Sequence, residues 1–365
     1  MTDPPVPADV KRLAIICPSW VGDTMMATPV LRAARQARPA ARIIAVCRPG
    51  LDRLLAGLPW MDQVIAFESK RLGGTVQVLR ALRHARVTAA ILLPNSFRWA
   101  LIARLAGIRV RVGYRRSARG PLLSHALTAP KQRAPVAALG YYARLAGFAL
   151  GVEALDMRME LIATDEQHAE ARSILDGVPR PFAVLCPGGN KPAKRWPAAR
   201  YARVAEALAR RHGLSAVVTG SPGERSIVAA VKAAAGTPVV DLTDRGMSLG
   251  TLKGVIAEAR IVITNDTGPR HVAAALGTPV VSLFGPTDPR WTSIEFPLEK
   301  VLTAEPFLPA ELTADDHAAR CAIERITVAD VLAATGQLLA AGGPESPSSR
   351  GAAPGTMPPD SAGTP

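Results

Sequence analysis

Residues 261–288 decide the fold, and they read I-V-I-T-N-D-T-G-P-R-H-V-A-A-A-L-G-T-P-V-V-S-L-F-G-P-T-D. The β-branched run at residues 261–264 predicts a strand, and residues 265–268 are of turn and cap types. The alanine-rich residues 269–276 predict a helix, and residues 280–284 predict a second buried strand. Together these segments form a strand-turn-helix-strand unit, which indicates a parallel sheet.

The turn at residues 265–268 would lie where parallel sheets bind ligands, at the carboxyl ends of the strands. Unpaired backbone amides and the positive end of the helix dipole suit a phosphate there. Gly268 would let the backbone approach a ligand closely, and Pro269 at the first helical position gives up no needed donor. The alternative is that Asp266 or Thr267 only caps the helix. The stretch alone leaves both interpretations open.

The composition is that of a folded chain. Its 365 residues are enough for two domains with sizeable cores, and a hydrophobic fraction of 48% excludes global disorder. The cysteines Cys17, Cys47, Cys186 and Cys321 include no C-x-x-C pair, so neither a disulfide framework nor a zinc site is indicated. No apolar run reaches the roughly 18 residues that span a bilayer, and the first residues lack a signal-peptide layout. We therefore expect a cytoplasmic chain.

The charge is concentrated in the first half. Residues 1–150 hold 23 Lys/Arg and 6 Asp/Glu, a net charge of +17, whereas residues 151–365 carry −3. This asymmetry favours an anionic partner, which would be nucleic acid, a phosphorylated acceptor or an anionic membrane surface. The alternative is that the arginines only solvate helix faces. No zinc finger or aromatic RNA-binding pattern accompanies the charge, which argues against nucleic acid.

Strand and helix patterns alternate along the chain and predict an α/β protein with doubly wound sheets. We expect an N-terminal domain at residues 11–170 and a C-terminal domain at residues 171–341. The proline-rich residues 1–10 predict a flexible leader, and residues 342–365, rich in Gly, Pro, Ser and Ala, predict a disordered tail. The carboxyl edges of the two sheets would face one cleft, as in an enzyme.

The first strand, predicted at residues 13–17, leads into the turn P-S-W-V-G-D at residues 18–23 and a helix at residues 24–36. Asp23 is either a helix cap or a general base, because both roles need a carboxylate at this edge. Gly22 would let an acceptor approach that carboxylate. Sequence position alone does not separate the two roles.

Two further segments suit anions. Residues 108–120 carry Arg109, Arg111, Arg115, Arg116 and Arg119, which favour a flexible anion-binding loop, with an ordinary solvated edge as the alternative. The segment P-G-G-N-K-P-A-K-R-W-P at residues 187–197 follows a strand and offers Lys194 as a point charge for a phosphate. The chain has no G-x-x-x-x-G-K-[ST] loop, no G-x-G-x-x-G after the first strand and no D-x-D pair, which argues against an NTPase, a dinucleotide oxidoreductase and a carboxylate-held metal.

Four segments in order resemble one family across about residues 12–340. They are P-S-W-V-G-D-T-M-M (18–26), L-P-N-S-F-R-W-A (93–100), C-P-G-G-N-K-P-A-K-R-W-P (186–197) and T-N-D-T-G-P-R-H-V-A-A-A-L (264–276). Together they resemble the ADP-heptose lipopolysaccharide heptosyltransferases, which are the bacterial glycosyltransferases of family nine. The heptosyltransferase II branch is the most similar.

The resemblance implies a GT-B fold, in which two Rossmann-like domains with parallel sheets face a central cleft. It implies an inverting transfer of heptose from ADP-L-glycero-D-manno-heptose to the lipopolysaccharide inner core, with no metal and no cofactor. The N-terminal domain would bind the anionic acceptor, Kdo-lipid A with its first heptose, and the C-terminal domain would bind ADP-heptose. We also expect peripheral contact with the inner face of the inner membrane and no nucleic-acid partner.

The resemblance also assigns the site residues. Asp23 would be the general base and Lys194 the second catalytic residue. The donor nucleotide and its phosphates would contact Gly188, Lys194, Glu224, Met247, Asp266, Thr267, Gly268 and His271. The acceptor would contact Gly22, Asn95, Arg115, Arg116 and Arg119.

The chain departs from the family pattern at several places. Arg270 stands in T-G-P-R-H where the branch commonly has Ser-Gly-Leu-Met-His, and we expect its charge to alter donor or acceptor preference. Lys191 adds a basic residue before Lys194, residues 290–316 are unfamiliar, and the tail at residues 342–365 is extra. The alternatives are another family-nine transferase with a different sugar or glycan, a non-catalytic nucleotide-binding GT-B-like protein, and an oxidoreductase.

Overall fold

The computed structural model describes residues 3–68, 72–130, 135–305, 307–309 and 311–341. The predicted tail at residues 342–365 lies outside the described residues. The elements described below position two sheet edges against each other.

Within the described residues, the first half forms a sheet of six parallel strands. The strands are β1 (Arg12–Ile16), β2 (Arg42–Cys47), β3 (Gln63–Ala66), β4 (Ala89–Leu92), β5 (Val110–Tyr114) and β6 (His125–Leu127). Their order is β3-β2-β1-β4-β5-β6. The helices are α1 (Val21–Met26), α2 (Thr28–Ala37), α3 (Leu51–Leu55), α4 (Leu72–His84), α5 (Phe97–Leu105) and α6 (Ala138–Leu150).

The strand β1 shows why helices cover both faces of this sheet. Alternate side chains of a strand point to opposite faces. Leu13 and Ile15 belong to one buried cluster, and Ala14 and Ile16 pack in another with Trp99 of α5. Because both faces are apolar, the strand is stable only between two helical layers.

The second half of the described chain forms another sheet of six parallel strands. The strands are β7 (Phe182–Cys186), β8 (Ser215–Val218), β9 (Val239–Asp241), β10 (Ile261–Asn265), β11 (Val280–Leu283) and β12 (Glu299–Leu302), in the order β12-β11-β10-β7-β8-β9. The helices are α7 (Asp165–Ile174), α8 (Ala198–His212), α9 (Arg225–Ala234), α10 (Leu249–Glu258), α11 (Gly268–Leu276) and α12 (Val328–Ala341). The predicted α/β class with two parallel sheets is confirmed, and residues 261–288 form β10, α11 and β11.

The helix predicted at residues 24–36 is two helices, α1 and α2, which meet at Ala27. Pro29 lies in the first turn of α2, where its missing N–H and its ring prevent a continuous helix through this point. The consequence is that Asp23 lies inside the first turn of α1 rather than in the turn before a helix.

Residues 108–120 are not the flexible loop that we predicted from their arginines. Val110–Tyr114 is strand β5, paired with β4 and β6, and Val112 and Tyr114 are buried. The alternation of Val110, Val112 and Tyr114 is a strand pattern, and the charges between them obscured it. Arg111 donates to the main-chain oxygens of Arg109 and Leu122, at 2.9 and 2.7 Å, so this arginine supports the sheet edge.

Residues 3–10 differ from the flexible leader that their composition predicts. Val6 is buried, and its N–H donates to the oxygen of Ala149 at 2.9 Å. The Arg38 guanidinium donates to the oxygens of Val6 and Pro7 at 2.5 and 2.8 Å. One apolar side chain and three hydrogen bonds therefore hold this segment against α6.

The two halves also contact each other through α3, α7 and α10. Arg53 on α3 pairs with Glu166 and Glu170 of α7. The Lys253 ammonium on α10 donates to the oxygens of Leu54 and Ala56 at 2.9 and 2.7 Å. The predicted domain boundary at residues 170/171 falls inside α7, which packs along α10 of the second half.

Candidate active site

A cavity of about 580 Å³ lies between the halves, where the carboxyl ends of both sheets face each other. The loop after β1 forms one wall, and the loops after β7, β8 and β10 form the other. Ten predicted site residues line this cavity: Gly22, Asp23, Gly188, Lys194, Glu224, Met247, Asp266, Thr267, Gly268 and His271. Residues from distant parts of the chain therefore meet in one place.

A second pocket, of about 320 Å³, opens on the N-terminal side of the cavity. It is lined by Asp23, Asn95, Arg116, Val136, Ala138, Tyr141, Tyr142, Trp291 and Thr292. Asp23 and Thr292 line both spaces. The Asp23 carboxylate thus lies at the junction of a large cavity and a smaller pocket that has an arginine.

Asp23 has the surroundings of a general base. Its carboxylate is largely buried, and this loss of solvation raises its pKa above the ordinary value. The Tyr142 hydroxyl donates to Asp23 Oδ1 at 3.3 Å, which acts in the opposite direction on the pKa. A carboxylate with a raised pKa accepts a proton more readily, and the Tyr142 bond fixes its orientation.

The start of α11 is left without a side-chain cap. Thr267 is the N-cap residue, but its side chain makes no cap hydrogen bond. Its Oγ1 donates instead to the oxygen of Asn265 at 3.2 Å and lies 3.1 Å from Thr264 Oγ1. Asp266 forms an ion pair with Lys194, with 2.9 Å between Nζ and Oδ2. The capping alternative is therefore wrong for both side chains, and the positive end of α11 faces the cavity.

Asn265 holds the loop of Gly188 in place, a role that sequence reasoning missed. Its Nδ2 donates to the oxygens of Pro187 and Gly188, both at 2.9 Å. Its Oδ1 accepts from the Tyr201 hydroxyl at 3.0 Å and from the Trp196 N–H at 3.3 Å. The available sequence signal was an asparagine at the end of a predicted buried strand, between Thr264 and Asp266, and the structure shows that its polar side chain is fully buried and hydrogen-bonded.

Glu224 joins two loops of the cavity wall. Its Oε1 accepts from the N–H of Gly189 at 2.7 Å, and its Oε2 accepts from the N–H and hydroxyl of Ser221, both at 2.8 Å. A Cβ at Gly188 would lie 2.2 Å from Glu224 Oε1, so any larger residue there would displace this carboxylate. Glu224 thereby shapes the wall that it lines.

Gly22 and Gly268 allow the two halves to approach. A Cβ at Gly22 would lie 2.6 Å from His271 Cδ2, and a Cβ at Gly268 would lie 2.9 Å from the Val21 side chain. We had expected these glycines to make room for ligands. Both glycines line the cavity, and they also make room for the opposing helix, so α1 and α11 meet at one glycine from each half.

The predicted arginines separate in space. Arg116 lines the smaller pocket, whereas Arg115 is exposed and lines neither space. Arg119 is fully buried, where it donates to the oxygen of Tyr114 and to Oδ1 of Asn95, at 2.9 and 3.0 Å. Burial lowers the pKa of Arg119 to about 10. Its position supports Asn95 from behind, which differs from the acceptor contact that we expected.

Comparison with known proteins identifies the family. The profile of glycosyltransferase family 9 (heptosyltransferase) matches residues 75–305. Lipopolysaccharide heptosyltransferase 2 of Escherichia coli K12 is 32% identical over 297 residues, which cover 77% of this chain and 84% of that protein. The enzyme of the same name from Salmonella typhimurium is 33% identical over 303 residues, with the same coverage. The chain belongs to glycosyltransferase family 9.

A solved structure supports the same family. The structure of E. coli ADP-heptose lipopolysaccharide heptosyltransferase II matches with a TM-score of 0.76 and 28% identity, over 90% of this chain and 99% of that one. The match confirms the GT-B fold and the expectation that this chain is a glycosyltransferase.

Arg270, the departure from the family pattern, lies in the core of this family-9 enzyme. Its guanidinium is buried and pairs with Glu299, with 2.6 Å from Nε to Oε1 and 3.1 Å from Nη2 to Oε2. Its Nη1 donates to the oxygen of Thr292 at 2.8 Å. Arg270 therefore holds the segment that lines both spaces, and its charge is neutralised by Glu299.

His271 of the family-9 site is buried against Gly22, and burial lowers its pKa below the ordinary value. Its Nδ1 has no hydrogen-bond partner in the described part of the chain. Among the same residues, no cluster of three or more His, Cys, Asp or Glu has the arrangement of a metal site. No helix in the described ranges is long and apolar enough to cross a bilayer.

Proposed function

We propose that this family-9 enzyme transfers heptose from ADP-L-glycero-D-manno-heptose to the inner core of lipopolysaccharide, as a heptosyltransferase II. The observation that carries the proposal is the position of Asp23, which lines both the large cavity and the smaller pocket. A nucleotide sugar in the first and an acceptor hydroxyl in the second would meet at this carboxylate. The named relatives are lipopolysaccharide heptosyltransferases, which supports the choice of sugar and acceptor.

The reaction is a single displacement with inversion. Asp23 takes the proton of the acceptor hydroxyl while that oxygen bonds to the anomeric carbon of the heptose. The bond from the anomeric carbon to the diphosphate oxygen breaks, and its electron pair leaves with ADP. Tyr142 holds Oδ1 of Asp23, so Oδ2 is the oxygen that we assign to the proton.

Fixed positive groups would stabilise the leaving diphosphate. Lys194 lies at the cavity wall beside Asp266, and the uncapped N-terminus of α11 opens into the same space. Preorganised donors aimed at developing charge lower the barrier, so these groups could act without a bound metal or another cofactor. Gly188, Glu224 and Met247 line the part of the cavity that we assign to the nucleotide.

The smaller pocket is assigned to the acceptor, Kdo-lipid A with its first heptose. Arg116 offers a cation to an acidic sugar or phosphate, and Asn95 offers an amide that contacts the Tyr141 hydroxyl at 3.0 Å. The charge of the first half, +17, supports an anionic glycolipid rather than a neutral acceptor. We place the enzyme in the cytoplasm, in peripheral contact with the inner membrane and without a nucleic-acid partner. The four buried free thiols agree with a reducing compartment.

Nucleotide release tests this proposal directly. We would incubate the wild type and Asp23→Asn with ADP-heptose, and separately with other nucleotide sugars, together with a heptosylated Kdo-lipid A acceptor. Release of ADP from ADP-heptose alone, without added metal and lost in Asp23→Asn, is the expected result. Asp9→Asn, an exposed carboxylate just before the amino end of β1 and so at the sheet edge opposite the cavity, is the matched control and should retain activity.

Other outcomes would change the assignment. Turnover with a different nucleotide sugar would replace the donor, and it would leave the role of Asp23 intact. Nucleotide binding without turnover on a competent acceptor would indicate a non-catalytic protein. Full activity of Asp23→Asn would show that Asp23 is not the general base.

A further inference from the structure

Two neighbouring helices of the first half carry an unusual share of exposed apolar surface. On α5, Phe97, Leu101 and Leu105 are 46%, 36% and 52% exposed, and Val76 on α4 is 47% exposed. Residues four apart lie on one side of a helix, so Phe97, Leu101 and Leu105 form a single stripe. These four are half of the large exposed apolar side chains among the described residues, which points to a shared cause rather than scatter.

The two helices present this surface as one rigid face. At their N-terminal ends, the guanidinium of Arg98 donates to the Thr75 hydroxyl, beside Val76 and Phe97. At their C-terminal ends, Arg83 Nη2 donates to the oxygen of Leu105 at 2.7 Å. The opposite sides of both helices are buried against the first sheet. The apolar stripe therefore remains outside the core in the folded protein.

Arginines surround the stripe. Arg80 and Arg83 follow Val76 at four and seven positions on α4, and Arg104 lies beside Leu105 on α5. All three arginines are exposed. Residues 69–152, which include both helices, contain 15 Lys/Arg and no Asp/Glu. We call the surface of Val76, Arg80, Arg83, Phe97, Leu101, Arg104 and Leu105 the α4–α5 face.

We infer that the α4–α5 face docks on a bilayer of anionic phospholipids. Apolar side chains flanked by arginines fit the boundary between lipid headgroups and acyl chains, where each kind of group finds its preferred surroundings. Anionic headgroups attract the arginines, and the absence of carboxylates in residues 69–152 leaves that attraction unopposed locally. Nucleic acid fits less well, because leucines in the centre of the face offer nothing to a phosphate backbone.

The face also lies next to the proposed acceptor pocket. Asn95, which lines that pocket, is two residues before Phe97 at the start of the stripe. Docking through α5 would bring the pocket close to the membrane that holds a glycolipid. The inference rests on the proposed function for this choice of acceptor, but bilayer binding itself needs no turnover.

Vesicle binding by the full chain is the first test. The wild type should float with vesicles that contain phosphatidylglycerol, bind pure phosphatidylcholine poorly, and dissociate as salt rises. Leu101→Asp/Leu105→Asp should bind at least roughly tenfold more weakly. Arg80→Gln/Arg104→Gln should lose about fivefold for each charge. Val301→Asp and Arg210→Gln/Arg211→Gln, matched changes at exposed positions of the second half, should stay within about twofold of the wild type. Equal losses in the face and control variants would overturn the proposal.

A site-specific label gives a readout that does not depend on folding energetics. The four natural cysteines are buried, so Leu101→Cys can be labelled selectively with an environment-sensitive fluorophore. Its emission should shift to shorter wavelength on anionic vesicles, whereas labelled Val301→Cys should not respond. Suppose instead that vesicles cause no emission shift. A shift on adding RNA would then identify nucleic acid as the partner, and a shift on raising the protein concentration without lipid would identify a second copy of the chain.

Heptosyl-transfer assays on soluble and vesicle-bound acceptors distinguish a failure of bilayer docking from a failure of the proposed function. The α4–α5 variants should keep wild-type turnover on a soluble core oligosaccharide and lose it on a vesicle-bound acceptor. Vesicle binding without heptosyl transfer by the wild type would refute the proposed function and leave docking intact. Heptosyl transfer without any vesicle binding would refute docking and leave the proposed function intact.

Discussion

The Tyr142 hydroxyl donates to Oδ1 of Asp23 at 3.3 Å. Asp23 is on α1 and Tyr142 is on α6, so the bond joins two helices that are 119 residues apart in sequence. Burial raises the pKa of Asp23, and this hydrogen bond limits the rise. Tyr142 thus sets both the orientation and the proton affinity of the proposed base.

Tyr142→Phe should move the acid limb of the pH-rate profile to higher pH. Removing the donor raises the pKa of Asp23 further, and the base must be deprotonated to act, so activity at low pH falls first. We expect a loss of about tenfold below the new pKa and a smaller loss above it, measured as kcat/KM against pH. Tyr141→Phe, which contacts Asn95 and not Asp23, should leave the acid limb in place. An unshifted limb in Tyr142→Phe would show that Tyr142 does not lower the pKa of Asp23.

Lys194→Ala should reduce kcat by about 100-fold, because one fixed donor to the leaving diphosphate is lost. The Asp266 carboxylate also loses its 2.9 Å partner and keeps only the more distant Arg270 guanidinium, at 4.0 Å, as a cationic neighbour, so the wall facing the nucleotide becomes more negative. ADP affinity, measured by calorimetry, should therefore fall as well. Lys191→Ala, an exposed lysine in the same segment, should change both quantities less than about twofold. Similar effects of Lys194→Ala and Lys191→Ala would show that Lys194 does not specifically stabilise the leaving diphosphate.

Gly268→Ala should impair the contact between α1 and α11. Its new Cβ would lie 2.9 Å from Val21, and overpacking of this kind costs about 1–3 kcal/mol. We expect lower activity and a lower Tm in thermal unfolding. Gly140→Ala on α6 is the control, since no atom lies within 4 Å of its new Cβ. That change should be neutral or should stabilise by about 0.5–1 kcal/mol. A Gly268→Ala enzyme with wild-type activity and Tm would show that the helices can separate freely.

Arg270→Met should reduce the free energy of unfolding by about 3–5 kcal/mol, because it leaves the buried Glu299 without its partner. Arg270→Met/Glu299→Leu should recover most of that loss, and donor preference should be the same as in the wild type. Arg225→Met, which breaks an exposed pair with Asp244, should cost less than about 1 kcal/mol. These free energies are measured by denaturant unfolding. A changed donor preference in the double variant would support the role in specificity that the sequence predicted for Arg270.

Lys253 should make stability depend on pH. Burial and the neighbouring Arg53 lower its pKa from 10.5 to about 7 in the folded state. Between these values the unfolded chain binds more protons than the folded one, so the contribution of Lys253 to stability rises with pH from about 7 to about 10. The difference in unfolding free energy between the wild type and Lys253→Met should increase over this range. A constant difference would mean that Lys253 keeps its ordinary pKa.

Local sequence patterns were sufficient to predict the two-sheet α/β architecture. The unit at residues 261–288 was predicted within one or two residues, because buried parallel strands and an alanine-rich helix have distinct local patterns. The resemblance also named ten of the 25 residues that line the cavity, since its motifs follow successive strands whose carboxyl ends share an edge. Local patterns failed at residues 108–120, where arginines alternate with the apolar residues of β5.

The contacts of several of these residues could be seen only in the folded protein. Arg119 was predicted to contact the acceptor and Arg270 to alter donor or acceptor preference, yet both are buried among acceptors supplied by remote segments. Gly22 and Gly268 were predicted to contact ligands; both line the cavity, and packing shows that each also accommodates the other half of the protein. Tyr142 gave no sequence signal, because its importance depends on the distance from α6 to Asp23. Charge and size are properties of a residue, but its role depends on neighbours that packing brings together from distant positions in the chain.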